Sequence, residues 1–497
     1  MYKRIINEIK ENYLIFILFS ISTLFFLYQH FSWLSWDFSA YVLNAKHLFY
    51  NGNYFEIYRA PMTSILLGIS LIFGKFGEYL YILFVSILFF YSVIQITNSA
   101  FKKYIEINKK EEKFLQFLFY FFLLSSFTLN YGTQIGTELL GFSFLLLFLS
   151  NILKNKISGH YLALAFLTRY NFLIFLPLLF FYKDFKKIIK NILLFALIVF
   201  PWFLFNYLVY QNWFTSIIES YYLNIYSRIP ISEPFNFSIL FPLFGYFFPL
   251  FLIGLVLCLL NLFRIRTKEL YNNKVIIVFL IVFVFTIYDF YNTPFKIARY
   301  LFNLTLPIAY FSVIGTFFLT KRYIKKNVIT IIILLVIFIL TTFSLYMVFY
   351  SLRFADNQFS DSAKDIKRLD LKQCEILSPH WPLVSYYTEN VYPLGTNNIQ
   401  TSIFIENKTI LIFKGEITID DLFNLTKLYQ YYPVLYETNK YVFFAQNLTS
   451  KTCSKKYFYD ARLVKNPCQI LSENFKKIKL DKLALKICNL INKPVFN

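Results

Sequence analysis

A chain of 497 residues that is 57% hydrophobic and only 15% charged is too apolar for a string of soluble domains, which carry roughly 25% charged residues. Its 49 Lys and Arg against 28 Asp and Glu give a net charge of +21. Many of these cations sit in short loops between apolar runs rather than on one folded surface, which argues against nucleic-acid binding and fits the Lys/Arg excess of cytoplasmic loops in membrane proteins.

The first apolar run, Tyr13 to about Trp33, follows Lys3, Arg4 and Lys10 and lacks a small-residue cleavage motif, so it reads as a retained span with the N-terminus in the cytoplasm. Ser35 to Pro61 is polar enough to be an outer loop; it holds Asp37, Lys46, His47, Glu56 and Arg59. Met62 to Phe73 is short for a crossing and reads as an interfacial or re-entrant helix. A span from about Glu78 to Ala100 returns to the lysine-rich loop Phe101–Lys113. The chain then runs out over Phe114 to about Asn130 and back over Glu138 to Leu153.

Ile157 to Tyr182 has lysines on both flanks yet is too short for two full helices at about 1.5 Å per residue. Arg169-Tyr170-Asn171 interrupts it, so the pattern predicts two half-helices meeting inside the membrane, where irregular backbone survives only if buried in protein or lining a cavity. Further spans are predicted at about Asn191–Tyr210, Ser238–Leu262, Val275–Tyr291, Ile297–Leu319 and Val328–Tyr350, about nine crossings plus the broken hairpin. Gln211–Phe237 and Asn292–Lys296 become outer loops. From about Leu352 charge rises and short alternating runs appear, such as Thr409–Phe413 and Lys440–Phe444, which read as strands; Ser360–Leu371 and Ile419–Tyr429 read as helices. The expected architecture is an all-α polytopic membrane domain, residues 1–351, with a small extracytoplasmic α/β or α+β domain, residues 352–497. Cys258 reads as a buried small hydrophobe; Cys374, Cys453, Cys468 and Cys488 of the tail leave three complete disulfide pairings open.

Charged residues at a membrane are costly and suggest function. Asp37 directly follows the first span in Ser35-Trp36-Asp37-Phe38, with Gly52, Tyr54 and Tyr58-Arg59-Ala60-Pro61-Met62 downstream. This spacing resembles the first outer loop of the GT-C glycosyltransferases, in the branch of the dolichyl-phosphate-mannose protein mannosyltransferases and aminoarabinose transferases. Tyr131–Glu138 resembles that family's second outer loop, and Leu162–Arg169 its recurring Leu-Thr-Arg segment. Pro201-Trp202, Asn206-Tyr207 and Asn212-Trp213 are similar to a further segment, in which Phe205 replaces an Arg. Ala298-Arg299-Tyr300-Leu301 with Pro307 resembles its Arg-Tyr-Leu segment, and His380–Thr388 its outer-domain strand and helix. Two departures stand out. Many relatives have a double acid where this chain has Asp37-Phe38, which weakens a metal assignment. The usual Lys-Pro-Pro-Leu becomes Arg59-Ala60-Pro61-Met62, which keeps the cation.

The resemblance implies transfer of a sugar from a polyprenyl-phosphate donor to a protein or lipid acceptor at the outer membrane face, with membrane lipids around it and no nucleic acid. Asp37 is then the catalytic base and Glu138 a second acid or the structural partner of Arg169. Arg59, Arg299 and Arg169 contact the donor phosphate, since arginine holds phosphate with paired hydrogen bonds. Asp289 and Lys296 are expected to pair with each other. No two of the four histidines have metal-ligand spacing; no motif demands a cofactor, and a divalent cation is left open. The rivals are a transporter or flippase of lipid-linked sugars, for which internal repeats would be expected and none is visible, and an O-antigen-type polymerase or ligase.

Overall fold

The computed structural model describes residues 13–101, 109–182, 184–225, 228, 233–263, 273–323, 358–371, 375–388, 390–394, 409–414, 429, 432–445 and 459–460. The expected span Val328–Tyr350, helix Ile419–Tyr429 but for its last residue, and the four tail cysteines lie outside these.

Among the described residues, five helical stretches are long and apolar enough to cross a membrane: Tyr13–Ser32, Phe76–Phe101, Phe185–Tyr210, Asn273–Asn292 and Ala298–Thr320. The protein is an integral membrane protein. Shorter apolar helices, among them α7 (Glu138–Leu153), fill the spaces between them. All but two residues of α7 are buried, because it lies inside the bundle, with α4 (Phe76–Phe101) and α8 (Gly159–Thr168) against it. Its start and end are those expected from the sequence.

The interrupted segment breaks where Arg169 interrupts it. Helix α8 ends at Thr168, Arg169 is extended (φ −153°, ψ 124°), and a 3-10 helix runs from Tyr170 to Phe181. A 3-10 helix rises about 2.0 Å per residue, so its 12 residues reach about 24 Å. At the start of α8, the Asn191 Oδ1 accepts from the backbone N–H of Ser158 at 2.6 Å and of Gly159 at 2.7 Å, satisfying donors that the helix cannot. Two later helices, α12 (Phe248–Phe263) and α14 (Thr305–Tyr323), touch backbone to backbone. A Cβ on Gly254 would lie 1.8 Å from the Phe311 carbonyl oxygen, and one on Gly315 would lie 2.2 Å from that of Leu250. Small residues serve this purpose between membrane helices.

Three expectations are corrected. The polar stretch Ser35–Pro61 is no loop. It contains α2 (Trp36–Tyr50), started by Ser35, whose hydroxyl accepts from the Phe38 N–H, and ended by Asn51 in the left-handed region. A two-residue strand, β1 (Tyr54–Phe55), follows. The expected outer loop Gln211–Phe237 contains α10 (Thr215–Asn224), and the expected span from Ser238 is helical throughout but starts as short 3-10 and α turns, Phe237–Phe247, before the regular helix α12 begins at Phe248.

The tail carries a five-stranded mixed sheet in the order β3-β2-β4-β6-β5: Val391–Pro393, Ile376–Ser378, Thr409–Phe413, Tyr441–Ala445 and Val434–Glu437. Strand β2 is parallel to β3 and β4; β6 is antiparallel to β4 and β5. Helix α15 (Gln358–Arg368) packs with α16 (Trp381–Thr388), whose N-terminal end meets α2. The Trp381 and Trp36 rings meet edge to face, with centroids 4.6 Å apart. Strand β1 also pairs in parallel with β7 (Tyr459–Asp460), so the tail and the segment after the first span lie on the same side of the bundle.

Candidate active site

Each expected site residue stands at a helix start or a break in the backbone. Asp37 is in the first turn of α2, and Glu138 opens α7. Arg59 lies in the turn before α3 (Met62–Ser70), its N–H donating to the Glu56 carbonyl at 3.2 Å. Arg169 is the extended residue after α8, and Arg299 is the second residue of the 3-10 helix Ala298–Leu304. Interrupted backbone lets these cations leave the helical cylinder and converge.

The structure brings all five together. Asp37 bridges two arginines: Arg59 Nη1 donates to its Oδ1 at 2.8 Å and Arg299 Nη1 to its Oδ2 at 2.5 Å. Arg169 Nη1 donates to Glu138 Oε1 at 2.7 Å, and the Thr137 hydroxyl to Glu138 Oε2 at 2.9 Å. The Tyr300 ring joins the two groups, its centroid 5.8 Å from the Arg169 guanidinium and 5.5 Å from that of Arg299; Arg228 Nη1 donates to its hydroxyl at 3.4 Å. Arg299 Nε is buried with no hydrogen-bond partner among the described residues.

Burial alone would raise the proton affinity of Asp37, but Arg299 and Arg59 outweigh it and hold the carboxyl well below the usual carboxylate range. A folded-state value depressed in this way contributes stability in full above the unfolded value, and the contribution is lost as pH falls through the folded one. Asp37 is therefore an anion at neutral pH, and a weak base as long as both arginines stay on it.

An apolar groove of about 530 Å³ starts four residues along the chain from Arg169, lined by Leu173, Ile174, Leu176 and Pro177 of the 3-10 helix and by Val284, Phe285 and Tyr288 of α13 (Asn273–Asn292). Its walls are joined by a hydrogen bond from Asn171 Nδ2 to Asp289 Oδ2 at 3.2 Å, two residues from Arg169 in the chain. The expected Asp289–Lys296 pair is thus not formed. Lys296 instead turns back onto carbonyls of Phe290, Tyr291 and Thr293 at the end of α13. Trp202 and Asn206 are buried and structural: Trp202 Nε1 donates to Tyr170 and Ser216, and Asn206 Nδ2 to Ser216, while Pro201 is exposed.

Sequence reasoning named Glu56 but gave it no part, and gave none to Tyr41 or Tyr300. Glu56 accepts from Arg59 Nε and from the Tyr54 hydroxyl, and the Tyr41 ring lies 5.0 Å from the Arg59 guanidinium. The three-residue spacing from Glu56 to Arg59 was the available signal. A second tether between tail and membrane bundle also escaped it: Tyr386 donates to both carboxylate oxygens of Glu78, at 2.8 and 3.0 Å, where His30 Nε2 is 2.9 Å away. Among the described residues no three His, Cys, Asp or Glu side chains gather as metal ligands.

No protein-family model matches the sequence, and no curated protein matches it. Solved structures do. The crystal structure of ArnT from Cupriavidus metallidurans bound to undecaprenyl phosphate superposes with a TM-score of 0.57 at 10% identity, covering 87% of this chain and 99% of that one. The apo structure of the same protein gives 0.56 at the same identity and coverage. ArnT is an aminoarabinose transferase, a GT-C glycosyltransferase. The chain therefore has the fold seen in ArnT, with a small sheet in its C-terminal region.

Proposed function

We propose that this protein is a membrane glycosyltransferase that moves a sugar from a polyprenyl-phosphate donor to a protein or lipid acceptor at the outer membrane face. The observation that carries the reading is the carboxylate of Asp37 held between Arg59 and Arg299, together with an apolar groove on the 3-10 helix that follows Arg169. A donor with a prenyl chain needs an apolar groove, and its phosphate needs arginines. ArnT, which shares the fold, was crystallised with undecaprenyl phosphate. In this reading residues 1–351 form the catalytic membrane domain and 352–497 the extracytoplasmic domain, with the N-terminus cytoplasmic as the Lys/Arg loops suggest.

The chemistry balances with groups in hand. The acceptor O–H or N–H gives its proton to the Asp37 carboxylate, and the acceptor atom bonds to the anomeric carbon. The bond from that carbon to the phosphate oxygen breaks, and its electron pair leaves on the polyprenyl phosphate, which arginine N–H groups stabilise. The incoming phosphate competes with Asp37 for Arg59 and Arg299. As the arginines turn to the phosphate, Asp37 loses the charges that depress its proton affinity and becomes a stronger base.

This exchange has a signature in pH. Because kcat/KM follows the free enzyme, Asp37 contributes no acid limb to it between about pH 5 and 8, whereas the acid limb of kcat, which follows the donor complex, moves to higher pH. Coincident acid limbs in the two profiles would contradict the exchange. The donor itself is tested by binding. Polyprenyl phosphate at 100 times its Kd stabilises the folded protein by about 2.7 kcal/mol, and Ile174→Trp, which fills the groove, should abolish the shift. No shift in the wild-type protein would count against a polyprenyl donor.

A further inference from the structure

We infer that Glu56 is a positioning residue that aims Arg59 at the donor phosphate, and that Tyr54 and Trp381 make this aim depend on the docked outer domain. The inference rests on the proposed donor.

The Glu56 side chain is 0% exposed. A buried carboxylate is tolerated only when its partners offset the loss of water. Both its oxygens are used, one by Arg59 Nε and the other by the Tyr54 hydroxyl. Its backbone is pinned as well. Asn44 Nδ2 donates to the Glu56 carbonyl at 2.9 Å, and the Glu56 N–H donates to Asn44 Oδ1 at 2.8 Å. Asn44 is seven residues after Asp37 on α2, about two turns on, so one helix sets both Asp37 and, through Asn44, Glu56.

Arg59 therefore meets two carboxylates on different edges of one planar group, Glu56 at Nε and Asp37 at Nη1. Two fixed partners determine the plane of a guanidinium, whose hydrogen bonds are directional. When a phosphate takes the place of Asp37 on that group, Glu56 is the remaining carboxylate that keeps the plane in register, with the Tyr41 ring 5.0 Å from the guanidinium. The Glu56 carboxylate touches Arg59 and Tyr54, and it acts on the donor through Arg59.

The chain of hydrogen bonds continues outward. The Trp381 indole N–H donates to the Tyr54 oxygen at 2.6 Å while the Tyr54 hydrogen goes to Glu56. Trp381 opens α16 of the tail, and its ring rests on Trp36, the neighbour of Asp37. Removing the outer domain thus removes the donor that orients Tyr54, and so loosens one of the two partners that fix Glu56.

The test uses the full chain in lipid nanodiscs, reading polyprenyl-phosphate affinity, donor KM and kcat, and melting temperature for wild type, Glu56→Gln, Tyr54→Phe, Trp381→Phe and Arg59→Ala. Glu56→Gln should raise donor KM and Kd about tenfold, and Trp381→Phe about threefold. In the Arg59→Ala background Glu56→Gln should change neither, because its only route to the donor is gone. Full additivity of the two substitutions, or an unchanged Kd in Glu56→Gln, overturns the inference. If Glu56→Gln does not fold, Tyr54→Phe and Trp381→Phe decide it, and an unchanged KM in both overturns it. A wild-type protein that binds no polyprenyl phosphate removes the donor reading and this inference with it; a wild type that binds, beside variants that bind equally well, removes only the role of Glu56.

Discussion

Asp37→Asn should lower kcat by roughly 100- to 10,000-fold, the range of general-base catalysis, while binding polyprenyl phosphate at least as tightly as wild type. The substitution keeps the shape and removes the charge. It leaves Arg59 and Arg299 without their shared carboxylate, so the arginines welcome the donor phosphate more readily. A purely architectural Asp37 predicts the reverse: lower melting temperature, weaker donor binding and near-normal kcat in what remains folded. Steady-state kinetics and phosphate binding on the same sample separate the two. If Asp37→Asn keeps most of its activity in a well-folded sample, the base assignment passes to Glu138.

Arg299→Ala should cost about 100-fold or more in kcat/KM, with donor KM raised as well as kcat lowered, since the phosphate is present in the ground state and the transition state alike. Arg299 deserves the larger effect among the arginines for a geometric reason. Its Nε is buried without a partner among the described residues, whereas Arg59 gives its Nε to Glu56. An anion that reached this site would find that donor already desolvated. Arg169→Ala should behave differently. It strands the buried Glu138 carboxylate, so its main cost is a lower melting temperature. Kinetics and thermal melts of the two variants side by side check the contrast; an unchanged donor KM in Arg299→Ala would remove it from the phosphate site.

Much of this arrangement was legible in the sequence, and the exceptions have physical reasons. Helix α7 was found to the residue because its apolar run is bounded by Glu138 and Lys154. The break at Arg169 was legible because three polar or aromatic residues interrupt an apolar segment too short for two crossings. Helix α2 was missed because its composition is that of a loop, with Asp37, Asn44, Lys46 and His47 in 15 residues. Its signals were of another kind: Ser35 at the start, an acid in the first turn, and Asn51-Gly52 at the end. The convergence of Asp37, Arg59 and Arg299 was proposed as a shared role, but the bridging by Asp37 was not, since 262 positions separate it from Arg299 and no local rule spans that distance. Asp289 and Lys296 failed as a pair for the opposite reason. They are near in sequence, yet the helix end offered Lys296 carbonyls and the groove offered Asp289 an amide.

The central claim is transfer of a sugar from a polyprenyl phosphate. It is tested most directly by incubating the purified protein with labelled polyprenyl-phosphate hexose and native membranes as the acceptor source, and measuring free polyprenyl phosphate against labelled acceptor. The account predicts that both accumulate together with wild type and that neither does with Asp37→Asn. Label that stays on the lipid carrier with wild-type protein, under conditions where polyprenyl phosphate demonstrably binds, would contradict it.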